Sequence, residues 1–86
     1  MTTLVRATLD LIPTGYSEGL YQGRRYGMRK TLHAGGKGVK FFARDLGGTD
    51  FVSLNLYLLS SGDLLKPCEM PEAKVRDFVL SVTIPA

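Results

Sequence analysis

The sequence predicts a mainly β domain with some helix (α+β): a strongly bent antiparallel sheet of about five strands carrying a C-terminal helix. Three observations predict it. Apolar and polar residues alternate through residues 39–46 and again through 52–58, the period of a strand with one covered face. Turn-forming stretches of two to five residues separate these runs, which suits hairpins and hence an antiparallel meander. Residues 71–82 instead carry an apolar stripe at helical spacing, Val75, Phe78, Val79 and Val82.

The elements follow in chain order. Residues 4–12 admit two readings. Val5, Ala7, Leu9 and Leu11 alternate with Arg6, Thr8 and Asp10 as in a half-buried strand, while Val5, Leu9 and Ile12 fit a helical face. Pro13 and Gly15 end that element. Glycines recur at 15, 19, 23 and 27; on one strand they would share a face and strip it of side chains, letting the strand bend. Strands are expected near residues 18–22 and 25–33, then a glycine-rich hairpin loop at 34–38. In the strand over 39–46, Val39, Phe41 and Ala43 oppose Lys40, Phe42 and Arg44. A turn at 47–50 leads to the clearest strand, with Val52, Leu54, Leu56 and Leu58 toward the core and Phe51, Ser53, Asn55 and Tyr57 opposite. After a turn at 60–63, a short strand at 64–66 is stopped by Pro67. The helix over 71–82 starts well, because Pro71 suits a first helical position and Glu72 the positive end of the dipole.

Eighty-six residues, 44% hydrophobic and 22% charged, read as a single domain over 1–86 that folds throughout apart from its ends. No apolar run approaches the roughly 20 residues of a membrane span, and residues 1–10 lack the basic start and apolar stretch of an export signal. With a single cysteine no internal disulfide forms, so a cytoplasmic location is expected.

Charge is distributed one-sidedly. Residues 23–44 hold Arg24, Arg25, Arg29, Lys30, Lys37, Lys40 and Arg44 and no carboxylate, so this segment carries +7 while the remainder carries −4. Such a field draws phosphates or acidic surfaces and says nothing about fold. Lys40, Phe42 and Arg44 share one strand face, and Ser53, Asn55 and Tyr57 share a face on the next. Cations for a backbone and aromatic rings for bases are what hold single-stranded nucleic acid. The candidate binding set is therefore Arg24, Arg25, Arg29, Lys30, Lys37, Lys40, Phe42 and Arg44. Against it stands the reading in which Phe42 and Tyr57 lie beneath the helix and the cations only protect strand edges.

A non-enzymatic domain is expected. Nucleophilic catalysis would have to rest on His33 and Cys68, the only residues of their kinds, and nothing in their spacing joins them. Two such ligands fall short of a structural zinc site, so no metal and no cofactor is expected. The loop Gly35-Gly36-Lys37-Gly38 lacks the spacing, the hydroxyl residue and the following helix of a nucleotide-binding loop. Cys68, ahead of the helix and beside Glu69, reads as a packed thiol.

The segments Gly15-Tyr16-Ser17-Glu18-Gly19, Gly23-Arg24-Arg25-Tyr26-Gly27, Gly47-Gly48-Thr49-Asp50-Phe51-Val52-Ser53 and Leu65-Lys66-Pro67-Cys68-Glu69-Met70-Pro71 resemble a family of short, uncharacterised bacterial proteins, over most of residues 13–80. Some members carry the label peptide methionine sulfoxide reductase; the Gly-Cys-Phe-Trp type nucleophile and the paired redox cysteines of such reductases are absent from this chain, which has no Trp. The family is similar to a variant Sm-like fold, which implies a strongly bent, Sm-like or SH3-like small open barrel of five strands with a helix. It also implies RNA binding and assembly into homo-oligomeric rings. The Asp-x-x-Asn loop and late Arg-Gly pair of Sm rings do not stand here in the expected order. The leading expectation is thus a domain that binds RNA or another single-stranded nucleic acid through residues 23–44. The competing one is a protein-interaction or homo-oligomerisation module that sets the same segment against an acidic partner surface or a second copy; neither involves a membrane.

Overall fold

The computed structural model describes residues 2–68 and 70–84. Its elements are α1 (Thr2–Leu11), β1 (Gly15–Tyr21), β2 (Arg24–His33), a short 3-10 turn (Ala34–Gly36), β3 (Gly38–Asp45), β4 (Phe51–Leu59), β5 (Gly62–Pro67) and α2 (Glu72–Ser81). The five strands form one antiparallel sheet in the order β1-β2-β3-β4-β5, as short turns between alternating strands require. β1 and β5 stand at opposite edges, so the sheet does not close into a barrel.

Both helices lie on one face of this sheet. The ambiguity at residues 4–12 resolves as helix: Val5, Leu9 and Ile12 are buried at helical spacing, whereas Leu11, which a strand would have turned inward with Leu9, is exposed. α1 touches β5 and α2. Its C-terminal end reaches back over β2, where Lys30 Nζ donates to the Leu9 and Ile12 carbonyls at 2.7 and 3.0 Å. α2 buries Val75, Phe78 and Val79. Between the helices and the sheet lie Tyr26, Met28, Val39, Phe41, Ala43, Val52, Leu54, Leu56 and Leu65, and in β4 these are the even-numbered residues that the alternation predicts, with Leu58 partly buried beside them. Phe78 is the centre of an aromatic cluster, with ring centroids 4.7 Å from Tyr21, 5.0 Å from Tyr26 and 6.1 Å from Phe41.

The glycine period does not mark one bent strand. Gly15 and Gly19 lie in β1, Gly23 in the hairpin turn and Gly27 in β2, and because Glu18 pairs with Gly27 and Gly19 with Tyr26, Gly19 and Gly27 face opposite sides. A fourfold sequence spacing that crosses a hairpin loses its facial meaning.

Polar ties fasten α2 to the sheet. The Tyr21 hydroxyl donates to Asp77, Lys74 donates to Asp50, and the Tyr26 hydroxyl donates to Asp50 at 2.9 Å. The hydrogen bond to Asp77, with burial, pushes the Tyr21 phenol up to about 12, and burial, with the bond to Asp50, does the same for Tyr26. Both phenols are thus held neutral above their ordinary value of 10.0, so the stability they contribute is complete below that pH and is lost as pH rises toward about 12. An alkaline titration followed by tyrosinate absorbance and by circular dichroism is expected to show these two phenols ionising together with loss of the fold in that interval. Their ionisation with the fold intact near pH 10 would contradict the ties. After α2 the chain returns to the sheet. Leu20 and Thr83 exchange backbone hydrogen bonds of 2.9 and 2.8 Å, which blunts the outer edge of β1.

Candidate nucleic-acid interface

Because directly paired residues share a face, the register lays out the side of the sheet that no helix covers. Tyr16, Arg29, Phe42 and Ser53 form one row across β1 to β4, and Glu18, Gly27, Arg44 and Phe51 form the next. On the other side of the first row stand Thr31, Lys40, Asn55 and Lys66, then His33, Gly38, Tyr57 and Leu64. Phe42 and Tyr57 therefore lie on the open face and not beneath α2. The reading that buried them under the helix is corrected: the inward residues of β3 and β4 already occupy the covered side, and side chains on a strand alternate strictly.

The rings form a platform. Phe42 and Phe51 are 41% and 38% exposed, and their rings stack with centroids 6.1 Å apart and planes 26° from parallel. Two glycines make room for two more rings. A Cβ at Gly27 would fall 2.7 Å from the Tyr16 hydroxyl, and one at Gly38 would fall 2.3 Å from His33 Cε1, so both rings lean over bare backbone. His33 also meets the edge of Tyr57, with centroids 6.2 Å apart. Around Gly27, the side chains of Tyr16, Arg29, Phe42, Arg44 and Leu46 enclose a shallow depression, and a second one lies between Phe42, Arg44, Thr49 and Phe51.

The cations sort by face. Arg29, Lys40 and Arg44 are exposed on the open side, joined by Lys66 from β5, and none of the four is in an ion pair among the described residues. Arg25 is on the same side, 3.7 Å from Glu18. Three members of the sequence-derived set lie elsewhere. Arg24 pairs with the buried Asp45 at 2.6 Å on the helix side. Lys30 is buried at 6% exposure, with its ammonium on the carbonyl end of α1. Lys37 is in the loop before β3, off the rows. Arg24 and Lys30 follow the inward alternation of β2; Lys30 is buried there on helix carbonyls, while the exposed Arg24 has its charge offset by the buried Asp45.

Sequence reasoning missed four residues of this face. Phe51 was legible as an odd-numbered position of β4, in phase with Tyr57. Lys66 and Glu18 needed the pairing of edge strands, and Tyr16 needed the β1–β2 register that sets it opposite Arg29. The Tyr16 hydroxyl donates to Glu18 Oε2 at 3.1 Å; partial desolvation and then this carboxylate hold the phenol above its ordinary value, so it remains a donor.

Cys68 is half-buried at the rim of the open face. Its N–H donates to the Ser53 carbonyl at 3.0 Å and its Sγ accepts from Asn55 Nδ2 at 3.5 Å. The neighbouring Glu69 lies outside the described residues. Among the described residues no three His, Cys, Asp or Glu side chains gather into a group that would hold a metal ion. Nor is any described helix long and apolar enough to cross a membrane. Compared with protein-family models, curated proteins and solved structures, the chain matches none.

Proposed function

We propose that this chain binds single-stranded nucleic acid, RNA foremost, across the open face of its sheet. One observation carries the reading: on a single uncovered surface, four cations that have no acidic partner among the described residues, Arg29, Lys40, Arg44 and Lys66, are interleaved with the exposed rings of Tyr16, Phe42 and Phe51. Extended cationic surfaces track a phosphate backbone, and aromatic faces on an open sheet stack the unpaired bases. A duplex keeps its bases stacked on one another and offers the rings nothing, so the arrangement favours single strands.

The test is fluorescence anisotropy with a labelled oligouridine at two salt concentrations. Binding is expected at low salt, and its affinity is expected to fall as salt rises, by about 0.7 log units per log unit of salt for each phosphate neutralised. No binding at low salt, or binding indifferent to salt, overturns the proposal. If the face instead meets a second copy, sedimentation at low salt shows oligomers and the oligomer competes with the oligonucleotide.

A further inference from the structure

We propose that Glu18 makes the open face selective for guanine at one nucleotide position. The inference rests on the single-strand reading above and concerns which base is taken. Glu18 is the one described carboxylate on a face that carries Arg25, Arg29, Lys40, Arg44 and Lys66. Toward a phosphate backbone alone it is unfavourable, since it repels what the cations attract. Its placement suits a base edge. Oε2 accepts from the Tyr16 hydroxyl at 3.1 Å, and Tyr16 lines the depression floored by Gly27 and flanked by Phe42 and Arg44; Glu18 itself lines the adjoining depression with Gly19, Leu20 and Arg25, and its backbone pairs with Gly27. Oε1 is only loosely approached by Arg25, at 3.7 Å. The group is therefore oriented while keeping acceptor capacity, as a carboxylate with two oxygens and about four lone-pair sites does.

Among the four bases, guanine alone presents two adjacent donors, its ring N1–H and its exocyclic amine, on the Watson–Crick edge. Adenine and cytosine each set one amine donor beside a ring acceptor, and uracil sets its N–H between two carbonyls. A carboxylate meeting those edges gains one bond and opposes a lone pair, whereas guanine gains two parallel bonds while its ring stacks on Phe42 and Tyr16.

The experiment compares U-tract oligonucleotides of equal length whose central residue is uridine, guanosine, adenosine, cytidine or inosine, with the wild-type chain and with Glu18→Gln. The guanosine oligomer is expected to bind the wild type about tenfold more tightly than the all-uridine one, by the order of discrimination a bidentate base contact gives. Inosine, which lacks the exocyclic amine, falls between guanosine and adenosine. Glu18→Gln abolishes the preference and leaves all-uridine binding equal or tighter. Absence of a guanosine preference in the wild type, its persistence in Glu18→Gln, or an equal loss for every oligomer overturns the assignment while salt-dependent uridine binding leaves the parent reading standing. If no oligomer binds the wild type in a salt-dependent way, both fall.

Discussion

Replacing Arg29, Lys40, Arg44 and Lys66 together by glutamine is expected to abolish the salt dependence of single-strand binding. If each cation neutralises one phosphate, the wild-type log-log slope is about −2.8, so affinity falls roughly fiftyfold between roughly 50 and 200 mM salt. The quadruple variant loses that slope and binds at low salt no better than the wild type does at high salt. All four side chains are exposed and unpaired among the described residues, so the fold should survive their loss. Phe42→Ala separates the second component: stacking lost from one base costs about 1–3 kcal/mol, or roughly 5- to 150-fold in affinity, with the slope unchanged. Lys30→Met serves as the contrast, since a buried ammonium on helix carbonyls neutralises no phosphate and should leave the slope intact. A slope that follows Lys30 instead of the four open-face cations would remove the interface from the open side.

Phe78→Ala is expected to have the largest effect on stability. The ring is wholly buried and touches aromatic side chains from β1, β2 and β3, so its removal leaves a cavity that three separate strands would have to move to fill. Such truncations cost about 3–5 kcal/mol. Against a total of roughly 5–15 kcal/mol for a small domain, most of the margin disappears. The melting temperature should fall by roughly 12 °C or more, at about 4 °C or more per kcal/mol for a domain of this size. Thermal unfolding by circular dichroism checks it; a shift of only a few degrees would mean that α2 does not close the core. Phe78→Leu, which keeps much of the volume, should recover more than half of the loss.

How much was legible follows from what kind of signal each residue carries. The alternation set Phe41 opposite Phe42 in β3 and Leu54, on the core side, opposite Tyr57 in β4 from sequence alone, because a strand's period of two is local; whether Phe42 and Tyr57 lay beneath the helix was decided only by the packing. The stripe of Val75, Phe78 and Val79 assigned α2 for the same reason. Periodicity does not say which side of the sheet a helix covers relative to a second helix, and residues 4–12 satisfied two periods at once. Packing against β5 and α2, with Lys30 on the terminal carbonyls, decided for helix there.

What the chain determines by itself is a meander of five strands, a C-terminal helix, and a segment of +7 against a remainder of −4, since these depend on neighbours in sequence and on composition. Only the tertiary structure divides that charge, sending Arg24 and Lys30 to the helix side and bringing Lys66 from the far edge strand to join Arg29, Lys40 and Arg44. It also lays Tyr16 over Gly27 and sets Glu18 beside it. Those placements depend on cross-strand register and on burial of particular acceptors, which are non-local contacts between residues distant in the chain, and no pattern read along the chain encodes them.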